Sequence, residues 1–156
     1  MSELLWIETR RTCWAYSPGG HLAELERATA GIRFSDRFDV TFAGGRPPRE
    51  PPRRIYHVCH PRRSAWRTLL NLLQALRIVL RERPRLVIST GADVAVPVCI
   101  LARLAGARLV FVETTGELEP SLSGRLLYPF ADLFIVPWPE KLRAFPRAIL
   151  ARGPLL

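Results

Sequence analysis

The chain has 156 residues, 48% of them hydrophobic, enough for one core and too many for a disordered chain. Its net charge of +9 is almost all arginine, with Lys141 the sole lysine, so its surface suits anionic partners such as nucleic acid, anionic lipid or a phosphorylated ligand. Cys13, Cys59 and Cys99 are odd in number and set in apolar runs, which predicts reduced, buried thiols rather than a disulfide framework. Neither a secretory signal nor a span of about 20 apolar residues is visible, so membrane contact, if any, is expected from the side.

In chain order, residues 1–11 form an N-terminal segment and Thr12–Ser17 a first strand, followed by a helix over Gly20–Ala30. Phe38–Ala43 is a second strand. Gly44–Arg54 holds too much proline and glycine for any regular element and is expected to be an exposed loop. A short strand at Ile55–Val58 precedes a long helix from Ser64 to Glu82. Then come a strand at Arg85–Ser89, a helix at Val94–Leu104 with Pro97 tolerated near its first turn, and a strand at Arg108–Glu113. A short helix at Leu122–Tyr128, a strand at Leu133–Val136, a helical turn after Trp138 and a brief strand at Ala148–Ala151 complete the pattern. Strands that are apolar throughout and separated by crossover helices predict an α/β, Rossmann-like parallel sheet with helices on both faces, in a single domain over residues 1–156.

The turn Ser17-Pro18-Gly19-Gly20-His21 joins the first strand to the first helix, where a doubly wound sheet receives its ligand. Its glycines allow close backbone approach to a phosphate, although a tight strand–helix turn requires glycine in any case. His21, in the first helical turn, is a candidate hydrogen-bond donor or general base; the alternative is a capping or merely exposed histidine. A second small-residue turn, Ser89-Thr90-Gly91, has the same setting. Glu113 ends an apolar strand at the same sheet edge and is a candidate base or sugar ligand, or else a capping or ion-paired acid. His57, Cys59 and His60 match no zinc spacing, and neither the dinucleotide fingerprint nor a phosphate loop ending in Gly-Lys-Ser/Thr is present, so no metal or cofactor is expected.

Three stretches in this order, SPGGHLAEL (Ser17–Leu25), RPRLVISTGADVAVP (Arg83–Pro97) and SGRLLYPFADLFIVPWPE (Ser123–Glu140), resemble a known family. It is the acceptor-binding, membrane-recruiting subunit of the split UDP-N-acetylglucosamine transferase of the dolichol pathway, with its bacterial relatives in exopolysaccharide and capsule synthesis. The segment His60–Pro84 is similar to the bacterial branch. The resemblance implies the N-terminal half of a GT-B glycosyltransferase, binding a polyprenyl-diphosphate-linked sugar at the cytoplasmic face of the membrane. A separate donor-binding subunit would complete a heterodimer, and this chain would be inactive without it. Ser17, Gly19, Gly20, Ser89, Thr90 and Gly91 are then the expected acceptor contacts, and His21 and Glu113 the catalytic candidates. The resemblance also implies pairing through the C-terminus, which places Pro154, Leu155 and Leu156 at the partner.

The residues themselves point to membrane contact along the Ser64–Glu82 helix. Leu69, Leu72, Leu73, Leu76, Val79 and Leu80 share one face, read as the core stripe. Arg63, Arg67, Arg77 and Arg81 form an adjoining band around Leu70 and near Trp66, suited to an anionic bilayer or simply to solvent. Two rival functions remain: a non-catalytic membrane scaffold for the partner, and a nucleic-acid-binding domain suggested by charge alone. Against the latter, the basic residues lack interleaved aromatics on a recognisable module.

Overall fold

The computed structural model describes residues 6–152. In chain order the elements are β1 (Trp6–Glu8), β2 (Thr12–Ala15), α1 (Gly20–Ala28), β3 (Ile32–Phe34), β4 (Arg37–Thr41) and β5 (Arg54–His57). After these come α2 (Ala65–Glu82), β6 (Leu86–Ser89), α3 (Val96–Leu104), β7 (Arg108–Val112), α4 (Leu122–Leu127), β8 (Leu133–Val136), a 3-10 turn at Pro139–Arg143 and β9 (Ile149–Leu150). Seven strands form one parallel sheet in the order β5-β4-β2-β6-β7-β8-β9, the doubly wound order with its reversal between β2 and β6. The α/β, Rossmann-like expectation holds, and each strand expected from residue 12 onward is present within a few residues of its predicted bounds.

Side chains alternate across each strand, so the sheet has two cores. On one side Cys13, Ala15, Phe38, Val40, Val87, Leu109 and Phe111 pack with α2 and α3. On the other, Trp14, Tyr16, Leu86 and Ile88 pack against Leu22 and Leu25 of α1. Here the structure adds what the periodicity did not reveal: β1 and β3 form a separate two-stranded parallel ribbon, Trp6 opposite Ile32 and Glu8 opposite Phe34. Phe34 packs on Trp14 edge-to-face at 5.4 Å, which ties the ribbon to the α1 side.

The α2 stripe is corrected. Its buried residues are Asn71, Ala75, Ile78, Val79 and Glu82, whereas Leu69, Leu72, Leu73, Leu76 and Leu80 are exposed. Polar anchoring turns the helix this way. Asn71 Nδ2 donates to Cys59 O at 2.8 Å and to Val94 O at 3.3 Å, and Glu82 accepts from Arg53 at 2.6 Å. Ala75 between these anchors lets α2 approach α3 closely, a fit that leucine at that position would prevent.

Candidate functional site

Strand order reverses between β2 and β6, and the two small-residue turns follow the carboxyl ends of these strands, where a doubly wound sheet receives its ligand. Gly19 has φ +98°, a conformation that favours glycine, and leads into α1 with no side chain capping the helix. The first intrahelical bond is Ala23 N–H to Gly19 O, 3.0 Å, so the N–H groups of Gly20, His21 and Leu22 precede it at the positive end of the helix dipole. Gly19 and Gly20 are exposed, and Ser17 is half-buried beside them. An anion fits this turn.

His21 is locked to the second turn by a reciprocal pair. Its Nδ1 lies 3.0 Å from Thr90 O, and Thr90 Oγ1 donates to His21 O at 2.7 Å. A carbonyl oxygen only accepts, so Nδ1 carries the proton in this contact, which leaves Nε2 as the nitrogen on the far side of the ring. Glu24, one turn along, places Oε2 3.9 Å from the same Nδ1. Its Oε1 accepts from Thr115 N–H at 2.9 Å and Thr115 Oγ1 at 2.7 Å, clamping α1 to the loop after β7. Glu24 carries no local motif, because its partners lie about 90 residues along the chain.

Ser89 and Thr90 differ from their expected role as ligand groups. Both are buried; Ser89 Oγ donates to Ala15 O at 2.7 Å and accepts from Gly91 N–H at 3.0 Å. Gly91 is also buried, at φ +105°, with Ser123 Oγ 3.2 Å from where a Cβ would lie. These three brace the site from within, while the exposed surface comes from Gly19 and Gly20, with His21 half-buried beside them.

Glu113 takes the ion-paired alternative rather than that of a base or sugar ligand. It is buried and ion-paired with the equally buried Lys141 at 3.3 Å, and Lys141 Nζ donates to Thr114 O at 2.8 Å. Glu113 Oε1 further accepts from Ser121 N–H at 3.3 Å, and a Cβ at Gly124 would overlap Oε2. This knot fastens the loop after β7 to α4 and the 3-10 turn. Sequence reasoning missed Lys141 because 28 residues separate it from Glu113. The signal was its being the sole lysine of an arginine-rich chain.

Trp66 is 73% exposed, Leu80 64% and Leu73 51%, and Leu70, Arg63, Arg67, Arg77 and Arg81 are exposed with them. The outer side of α2 is thus an apolar stripe with arginines along it. No helix among the described residues is long and apolar enough to cross a membrane. Burial pushes the Cys99 thiol up to about 12 and raises that of Cys13, while Cys59 is only half-buried. His60 Nδ1 lies 3.5 Å from Asp93, and no group of metal-binding side chains forms among the described residues. Pro154, Leu155 and Leu156 lie outside the described residues.

A parallel sheet of this order with a glycine turn at its reversal defines a Rossmann-like α/β domain. MurG of Acinetobacter baumannii has this fold, superposing with a TM-score of 0.65 at 17% identity over 92% of this chain and 46% of that one. The chain belongs to the family described as oligosaccharide biosynthesis protein Alg14 like, which matches residues 55–153. It is therefore a member of a glycosyltransferase-related family of glycan biosynthesis. The UDP-N-acetylglucosamine transferase subunit ALG14 of Rattus norvegicus is 33% identical over 93 residues, 55% of this chain and 43% of that protein. The UDP-N-acetylglucosamine--N-acetylmuramyl-(pentapeptide) pyrophosphoryl-undecaprenol N-acetylglucosamine transferase of Clostridium novyi is 35% identical over 78 residues, 50% of this chain and 21% of that enzyme. The chain thus spans less than half the length of these relatives.

Proposed function

We propose that this chain is the acceptor-binding subunit of a two-component glycosyltransferase working on a polyprenyl-diphosphate-linked sugar at a membrane surface. The observation that carries the reading is the exposed glycine turn at the uncapped N-terminus of α1, braced to the β6 turn through His21 and Thr90. The acceptor diphosphate is held there by N–H groups and the helix dipole. His21 Nε2 takes the proton of the acceptor hydroxyl as that oxygen bonds to the donor's anomeric carbon, and the bond to the nucleotide diphosphate breaks. Glu113, enclosed with Lys141, positions the neighbouring loop.

The partner subunit supplies the nucleotide-sugar side of the cleft; the rat relative's name as a transferase subunit supports this division. Ile149 and Leu150 of the edge strand β9 are exposed, which favours docking near the C-terminus and, by extension, through Pro154, Leu155 and Leu156. The outer leucines and arginines of α2 rest on anionic lipid. The purified chain is expected to show no transfer alone and to gain it on adding the donor-binding subunit. Robust turnover by the homogeneous chain would overturn the two-component reading. A second reading, a scaffold contributing no chemical group, is favoured by the enclosure of Glu113. His21→Ala separates the two, because a scaffold keeps its rate.

A further inference from the structure

The connection from β4 to β5, residues 42–53, contains no helix. The α1-side face of these two strands is covered instead by a proline-rich strap, and cavities of about 620, 300 and 250 Å³ lie along it. The strap is firmly seated. Glu26 of α1 accepts from Arg46 at 2.6 Å and from Arg49 N–H at 2.8 Å. Gly45, at φ +76°, lies so close to Pro18 that a Cβ there would overlap the proline ring.

The 250 Å³ recess lies beside the glycine turn and shares Pro18 with it; Tyr16, Thr41, Phe42, Ile55 and His57 also line it. Thr41 is only 5% exposed, and its Oγ1 has no hydrogen-bond partner among the described residues. A buried hydroxyl left this way is destabilising, and a ligand that bonds to it removes the penalty. The Tyr16 hydroxyl donates to Asp39 at 2.7 Å, and the Asp39 carboxyl is raised to about 6 by burial against the pull of Arg37. Arg46 is ion-paired with Glu26. The recess therefore has the enclosed, unpartnered Thr41 hydroxyl just behind its surface and the His57 imidazole on it, between aromatic, proline and isoleucine walls, with Arg46 at its edge. Hydrogen-bonding groups beside apolar faces, with the lining guanidinium already paired, match a pyranose ring better than a second anion.

We propose that this recess holds the acceptor's first sugar ring, the one bonded to the diphosphate at the glycine turn, so that this chain reads the acceptor sugar as well as its phosphates. The proposal rests on the acceptor-binding reading above. It is tested by calorimetric titration of the full chain with inorganic pyrophosphate and with methyl-capped hexosyl diphosphates: glucosyl, galactosyl, mannosyl and N-acetylglucosaminyl. At least one sugar diphosphate should bind tenfold or more tightly than pyrophosphate. Thr41→Val should abolish that gain, leave pyrophosphate binding unchanged, and keep or raise Tm because an unpartnered hydroxyl is removed. His57→Ala, at an exposed position, carries the same binding expectation should Thr41→Val fold poorly. Pyrophosphate binding with no gain from any sugar overturns the recess and leaves the diphosphate reading standing. A sugar gain that survives both variants places the ring elsewhere and also overturns it. Failure of every ligand to bind overturns both readings.

Discussion

The two helices α1 and α2 lie on opposite faces of one sheet and leave different things unsatisfied. The 9-residue α1 buries its apolar side through Leu22 and Leu25, and what it leaves open is its N-terminus, a set of N–H groups at the sheet reversal. The 18-residue α2 turns small and polar residues inward and leaves its leucines outside. One helix presents N–H donors that suit an anion, and the other presents an apolar outer side. Under the proposed function these two features would meet different parts of one ligand, the diphosphate head at α1 and the lipid surface at α2.

The sharpest way to break the α1 side is His21→Ala. Loss of a general base costs on the order of 10²- to 10⁴-fold in kcat. The severed hydrogen bond to Thr90 should cost only about 1 kcal/mol of stability, roughly 2–4 °C in Tm. Steady-state rates of the reconstituted pair and a thermal melt check both; unchanged kcat would remove His21 from the chemistry. On the α2 side, replacing Arg63, Arg67, Arg77 and Arg81 by glutamine should weaken binding to anionic vesicles. At roughly 1 kcal/mol per charge the loss approaches about a thousandfold at low salt, and added salt should shrink it. Co-sedimentation at two ionic strengths measures this, and equal binding by variant and parent would point to another surface.

A smaller pair of effects tests which side of α2 faces the sheet. Ala75→Leu overfills the contact with α3 and should cost about 1–3 kcal/mol, read by chemical denaturation. Leu73→Gln, on the outer side, should change stability by less than about 0.5 kcal/mol while weakening vesicle binding. The reverse pattern would restore the leucine stripe to the core.

Much of this was legible in the sequence, because the strands of the doubly wound sheet are continuous apolar runs and the ligand turn is marked by Gly19 and Gly20. The inner side of α2 was not. Periodicity identifies an apolar stripe but does not say which side of the helix meets the protein, and here Asn71, Ala75 and Glu82 decide it through hydrogen bonds and close approach. The β1–β3 ribbon escaped because its strands are three residues each and largely exposed. Ser89, Thr90 and Glu113 were correctly placed at the carboxyl edge, yet edge position does not distinguish a group facing the ligand site from one bracing it. That difference depends on partners far along the chain, such as Ala15 for Ser89 and Lys141 for Glu113.

Binding of the acceptor diphosphate by the glycine turn, as proposed above, is tested most directly at Gly20. A Cβ at Gly20 meets nothing within 4 Å, so Gly20→Val fits the fold while its branched side chain occupies the ligand's approach. The deciding measurement is titration of a short-chain polyprenyl-diphosphate sugar into the parent chain and into Gly20→Val. Saturable binding by the parent, weakened at least about tenfold in the variant with Tm held within about 2 °C, is the expected result. Equal affinity of the two proteins would contradict it.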